Sequence, residues 1–345
     1  MRAHRLYGQR DLRLVSESEP DLQAGEVRLK VAYSGICGTD VHYYYNDDDK
    51  LPNRPRHIGH EFAGTVTEAA DDVQSVAVGD RVAVFPLIAC GECSECLAER
   101  PVHCERYDRS VSTVGCGSLI GGIAESVVIP QSLAFKLPDG LSLLGGSLLE
   151  PLSVAATAVR RSGIGADGVA VVLGAGMIGI GAILALKAGG VQNIVVAEVS
   201  DKRRENLQSI PGLTVVNPAV EDVRDIVHTL SNGVGADVAY ECAGVHPTLD
   251  IAMDVARLHG QIIIVAMQPV PYPVDMVAVS LRELSIVGHN STTRQDFAKT
   301  AHVLEQGILP VEDWVTIIDF ERVLEEGIDP SKRGELVKAV IEVPQ

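Results

Sequence analysis

Two groups of residues in the first third of the chain have the types and spacing of metal chemistry. Ile36-Cys37-Gly38-Thr39-Asp40-Val41-His42 and Gly59-His60-Glu61 supply a thiolate, an imidazole and a carboxylate. Those are the ligand types a borderline-soft Zn²⁺ accepts in an incomplete, catalytic shell. The Thr39 hydroxyl and the His42 imidazole lie close by in sequence and could pass a proton. The second group, Cys90-x₂-Cys93-x₂-Cys96-x₇-Cys104, offers four thiolates in one lobe. Four thiolates close a tetrahedral zinc shell and leave no open position, so that metal should be structural. In a reducing compartment such crowding points to metal rather than disulfides. Cys116 and Cys242 read as core thiols, and His57 as a loop histidine.

A third group binds a nucleotide. Gly174-Ala175-Gly176-Met177-Ile178-Gly179 is GxGxxG, placed directly after the apolar run Val169–Leu173 and opening a helical stretch, Met177–Ala188, that Gly189-Gly190 closes. In that context Gly174, Gly176 and Gly179 permit the turn, and Met177 and Ile178 begin the helix whose free N–H groups face a pyrophosphate. The Met177 side chain itself reads as helix packing. Glu198 ends the next apolar run, where a carboxylate accepts from ribose hydroxyls and repels a 2′-phosphate. NAD is therefore favoured over NADP, although Arg203 nearby could hold that phosphate.

These groups need two kinds of scaffold. The chain has 345 residues, too many for one ordinary core, so two domains are expected. Residues 1–150 read as short strands between Gly and Pro signals, among them the alternating Val27–Val31, Glu61–Thr67 and Arg81–Phe85, which suggests a β-barrel. From Glu150-Pro151 the pattern changes. Val154, Ala155, Ala158 and Val159 give a helical apolar face that Gly163 ends. Near-continuous apolar strands at Val169–Leu173, Ile194–Glu198, Asp237–Glu241 and Gln261–Ala266 then alternate with helical stretches, the pattern of a doubly wound parallel sheet over 151–284. Residues 285–345, with a helix from Gln295 to Gln306 and a last strand Leu336–Val343, should return to the first domain. Asp47-Asp48-Asp49 reads as a solvated acidic turn.

Composition narrows the function. A net charge of −17 excludes a general phosphate-backbone binder, and the scarce aromatics weaken any base-stacking role, so no nucleic-acid partner is expected. The N-terminus has no apolar signal-peptide region and no run is long and apolar enough to span a bilayer. A cytoplasmic protein acting on small molecules, without a membrane partner, is the expectation.

In motif order and from end to end, the chain resembles the zinc-dependent medium-chain alcohol dehydrogenases. Cys37-Gly38-Thr39-Asp40-Val41-His42-Tyr43-Tyr44, Gly59-His60-Glu61, the four cysteines and Leu149-Glu150-Pro151-Leu152-Ser153-Val154 are most similar to the polyol, sorbitol-type branch. The resemblance implies a GroES-like catalytic domain with a Rossmann domain inserted in it. It implies Cys37, His60 and Glu61 as catalytic zinc ligands, with Glu150 as a further or exchanging ligand where the ethanol-type branch has a cysteine. Asp40 would orient the His60 imidazole from behind.

The implied reaction is oxidation of a secondary alcohol on a polyol or alditol, free or phosphorylated, to a ketone by hydride transfer to NAD. The alcohol proton would leave through Thr39, the cofactor ribose and His42. Threonine or butanediol oxidation on the same site is the alternative, and a zinc- and NAD-binding protein without turnover a more distant one. Tyr43 is either a pocket residue or, with Tyr44 and Tyr45, interface packing. His289 and Arg294 depart from the sorbitol-type pattern and either meet a charged substrate or lie on a solvent-facing loop. Homodimers or homotetramers are implied, joined near Gln261–Ser285.

Overall fold

A computed structural model describes residues 1–46, 55–108, 113–116, 118–208, 210–267 and 271–345. The Asp47-Asp48-Asp49 turn lies outside the described residues. The chain forms two units, Met1–Glu150 with Thr293–Gln345, and Pro151–Thr292.

The first unit is built on Glu26–Gly35, where buried and half-buried positions alternate as a half-buried strand requires. This strand pairs antiparallel with Glu61–Ala69, Ser126–Pro130 and Lys338–Glu342, and the sheet continues to Val315–Asp319 on one side and to Arg81–Val84 and Ala134–Lys136 on the other. A smaller sheet joins Asp11–Ser16, Arg2–Gly8 and Arg56–His57. Register decides what meets at the sheet's end. Gly35 stands opposite Glu61 on one side and opposite Val340 on the other. The Cys37 turn, the His60-Glu61 strand start and Lys338 therefore converge, although the chain separates Lys338 from Glu61 by 277 residues.

The second unit is a six-stranded parallel sheet in the order Leu213–Val216, Asn193–Ala197, Val169–Leu173, Ala236–Glu241, Ala256–Ile264, Ser285–Gly288. In chain order that is 3-2-1-4-5-6, the doubly wound dinucleotide-binding arrangement. Val169–Leu173 is buried throughout, as a central parallel strand covered on both faces should be. The unit runs to Thr292 rather than 284, because Ser285–Gly288 adds the sixth parallel strand before the chain returns. The return begins with the helix Arg294–Glu305, capped by the Thr293 hydroxyl on the Asp296 N–H.

Candidate active site and metal centres

The helix Gly38–Asn46 starts one residue after Cys37, and Asp40 fixes its start. Asp40 is 1 % exposed; its Oδ2 accepts from the Cys37 N–H at 2.9 Å and its Oδ1 from the Gly59 N–H at 3.1 Å. Both printed bonds run to backbone N–H groups, and His60 lies within electrostatic reach of the same carboxylate. The carboxylate clamps the two backbone turns that carry Cys37 and His60. Burial, partly offset by the nearby His60 and these two N–H donors, raises its pKa.

Cys37 Sγ, a His60 ring nitrogen and a Glu61 carboxylate oxygen lie within 4.8 Å of one another. Glu61 is also paired with Lys338, whose Nζ donates both to its Oε2 and to the Ile36 carbonyl at 2.8 Å. Glu150, on the helix Leu149–Ser162, lies within electrostatic reach of His60, Glu61, Lys338 and Asp40. Burial, with Glu61 and Asp40 adding to it against His60 and Lys338, pushes its carboxyl up to about 7. Burial likewise raises the Cys37 thiol. Burial alone would depress His60, but the Cys116 and Cys37 thiols carry its imidazole well above the ordinary range. Buried thiol, carboxyl, imidazole and ammonium groups thus crowd together, a donor set that a dication would satisfy.

Thr39 and His42 stand three apart on the helix Gly38–Asn46, hence on one face, and both are half-buried. Thr39 Oγ1 is 3.6 Å from Cys37 Sγ. Asn46 Nδ2 donates to His42 Nδ1 at 3.1 Å, which leaves Nε2 to carry the proton in neutral His42. Tyr43 is core, 1 % exposed under the Arg56 guanidinium at 5.4 Å, and Tyr44 is buried too. Tyr45 hydrogen-bonds Asp329 at 2.6 Å.

The four-cysteine lobe is folded by the short helix Ser94–Leu97 and the turn Pro101–His103. Cys90 and Cys96 sulfurs are 3.8 Å apart, and Cys93 and Cys104 sulfurs 4.0 Å. A tetrahedron with Zn–S of about 2.3 Å needs sulfurs about 3.8 Å apart, so the lobe has the dimensions of a closed zinc shell. Backbone N–H groups of Cys93, Cys90 and Glu105 donate to the sulfurs of Cys90, Cys104 and Cys93. The Glu105 bond leads the causes that bring the Cys93 thiol down to about 6, while burial pushes Cys96 up to about 12.

In the second unit, Gly174 has φ +94°, and a Cβ on Gly179 would collide with the Gly174 carbonyl oxygen. Only glycines let this strand turn so sharply into the helix Met177–Ala188. Gly176 caps that helix, the Met177 side chain is buried, and Ile178 is half-buried in the first turn. Glu198 points back at the turn. Its Oε2 accepts from the Ala175 N–H at 2.7 Å, its Oε1 from the Ser200 N–H at 2.9 Å, and Arg203 NH1 stands 3.6 Å away. A carboxylate has about four acceptor sites, so these two bonds do not exhaust it.

His289 is buried, so the solvent-loop reading fails for it. Its Nδ1 faces Arg161 at 3.1 Å and its Nε2 the Val154 carbonyl at 2.9 Å, a structural role. Arg294 stacks on Phe85 at 4.9 Å. Lys338 joins the site through Glu61 and was missed in the sequence: a lysine opening the apolar run Ala339–Ile341 was the one available signal. Among the described residues, no helix is long and apolar enough to cross a membrane.

With the fold and both clusters in place, the class is that of a zinc- and dinucleotide-dependent oxidoreductase, and comparison with known proteins narrows it. Residues 23–139 match the family description "Alcohol dehydrogenase GroES-like domain" and residues 178–306 match "Zinc-binding dehydrogenase". The chain belongs to the zinc-dependent medium-chain alcohol dehydrogenases, in their polyol branch. It is 34% identical to 2-dehydro-3-deoxy-L-galactonate 5-dehydrogenase of Pseudoalteromonas atlantica, over 86% of this chain and 85% of that one. It is 32% identical to (R,R)-butanediol dehydrogenase of Bacillus subtilis, over 98% and 96%. Identity to sorbitol dehydrogenase of Arabidopsis thaliana is 34%, over 78% and 74%. Among solved structures, a zinc-binding dehydrogenase of Sinorhizobium meliloti bound to NADP and an alcohol dehydrogenase of Escherichia coli complexed with NADH each superpose with TM-score 0.87 at 26% identity, covering 99% of both chains. Zinc and a nicotinamide dinucleotide are therefore the cofactors of this class.

Proposed function

We propose that the chain oxidises a secondary alcohol of a polyol or alditol to the ketone with NAD, on a zinc ion held by Cys37, His60 and Glu61 with Glu150 as a further or exchanging ligand. One observation carries this reading: thiol, imidazole and carboxylate donors meet within 4.8 Å at one end of a sheet, with the Glu150 carboxyl in electrostatic reach. When bound, zinc would supply Lewis-acid polarisation of the substrate hydroxyl, and the dinucleotide the hydride acceptor.

The residues do the rest. Asp40 fixes the spacing of the Cys37 and His60 turns, and Lys338 sets how far Glu61 leans toward the metal. The Thr39 hydroxyl would accept the substrate proton as it gives up its own toward His42, which hands one on to water from the same helix face. Glu198 takes the adenosine ribose hydroxyls and disfavours a 2′-phosphate, with Arg203 tempering its charge. A closed ion at Cys90, Cys93, Cys96 and Cys104 holds the lobe together.

Copies join along Ser285–Gly288, the outer strand of the parallel sheet, beside exposed Met276, Val277 and Leu281, as homodimers or homotetramers. The described cysteines are free thiols, in keeping with a cytoplasmic site of action. A screen at 340 nm of polyols, alditol phosphates, sugar acids, diols and threonine, each with NAD and NADP, tests the proposal. Turnover of polyols or alditols with NAD is expected. Turnover confined to butanediol-type substrates or threonine would move the substrate to the alternative, and none with any substrate would refute it.

A further inference from the structure

His60 shares a cluster of donor atoms with Cys37 and Glu61. Its Nδ1 meets a residue that no motif singles out. Cys116 Sγ lies 3.6 Å from His60 Nδ1, with Cys116 9 % and His60 6 % exposed. Among the described residues, Cys116 stands outside the groups of metal-capable side chains whose donor atoms come within 4.8 Å of one another. The thiol therefore touches the imidazole without joining that three-donor group.

Backbone packing builds this contact. Ile58 and Cys116 form an antiparallel bridge, and the Gly122 and Ile123 N–H groups donate to the carbonyls of Gly59 and Ile58 at 2.8 and 3.2 Å. Gly115 has φ +67°, and a Cβ there would lie 2.5 Å from the Gly59 carbonyl and 2.9 Å from the His60 nitrogen. Only glycine lets the two segments approach so closely. Asp40, meanwhile, gives both its oxygens to the Cys37 and Gly59 N–H groups.

We propose that Cys116 is the positioning residue for the metal-binding imidazole: its sulfur accepts the Nδ1–H of His60 and so fixes the tautomer and ring plane that turn Nε2 to the zinc. This rests on the zinc reading above. A ligating histidine has one N–H left to place, and its partner is what orients the ring. Sulfur reaches across 3.6 Å, a separation at which an oxygen would be out of hydrogen-bond range.

The test compares the full-length enzyme with Cys116→Ala and Cys116→Ser, measuring catalytic-site metal affinity by chelator competition and thiolate-to-cobalt absorption after Co²⁺ substitution. The alanine variant should bind metal about 10- to 100-fold more weakly. At saturating cobalt its thiolate band should keep full intensity, and the Cys90–Cys104 lobe should keep its ion. The serine variant, whose hydroxyl accepts the same proton after a small shift, should recover part of the loss. Unchanged affinity in a folded alanine variant would make Cys116 a packing residue and overturn the inference alone. A band lowered by one thiolate's share would make Cys116 a ligand and overturn it as well. Wild-type protein that binds no metal at Cys37 and His60 would sink the zinc reading and this inference together.

Discussion

Replacing Lys338 by methionine keeps most of its volume and removes the ammonium that faces Glu61. The two side chains are 5 % and 1 % exposed, so water cannot take the ammonium's place. Deleting one partner of a buried pair costs about 3–5 kcal/mol, because the other charge is left uncompensated. The Ile36 carbonyl also loses its donor at 2.8 Å, worth about 1 kcal/mol more. Neutralising both partners, Lys338→Met with Glu61→Gln, should recover most of the loss, since a desolvated pair is often close to neutral against an uncharged replacement. Trp314 is the chain's one tryptophan and lies buried in the unit that holds the site, so its fluorescence follows unfolding of that unit in urea. In protein stripped of catalytic metal by gentle chelation, the single variant should lose the full amount. In zinc-loaded protein it should lose less, because Glu61 then has a second cation to face. A single variant within about 1 kcal/mol of wild type without metal, or a double variant no better than the single, would refute the argument.

Four other outcomes are expected. Cys37→Ser should abolish catalytic zinc and activity while Trp314 emission stays native, and metal analysis showing two ions per chain would contradict it. Cys93→Ser should cost the structural ion and lower stability, by about 2–5 kcal/mol if losing this clip resembles losing a crosslink; a stable, zinc-replete variant would remove the clip. Glu198→Ala should raise the KM for NAD and narrow discrimination against NADP, so identical coenzyme kinetics would count against that assignment. His57 is pushed down to about 4 by burial and then by the Arg5 charge, while an unfolded imidazole titrates near about 6.5. The unfolded chain therefore binds more protons between those values, so stability is full above pH ~6.5 and falls as pH drops toward ~4. His57→Gln should flatten that fall in the Trp314 unfolding curve, and an unaltered slope would exclude His57 as its source.

Much of the site was readable as local pattern. Cys37, His60 and Glu61 announce themselves by ligand type, the four cysteines by spacing, and the glycine turn by following a strand and opening a helix. The parallel sheet was legible for a related reason: strands covered on both faces are apolar throughout. Misreadings came where burial, not motif, decides. Tyr43 left pocket and packing roles open in the sequence, and the helix turns it into the core under Arg56. His289 sits in a polar run, Gly288 to Arg294, and is nonetheless buried against the Val154 carbonyl. The domain boundary slipped because a four-residue edge strand, Ser285–Gly288, carries too little periodicity to read.

The chain alone determined which chemistry is available: zinc-type donors, a closed thiolate lobe, a dinucleotide turn and two kinds of scaffold. Each is short-range, written in neighbouring residues and in periods of two or about four. The tertiary structure decided the partners: Lys338 on Glu61, Cys116 on His60 Nδ1, and Asp40 clamping two backbone turns. Those pairings span 277, 56 and 19 residues and follow from strand register and loop packing, which no local pattern encodes.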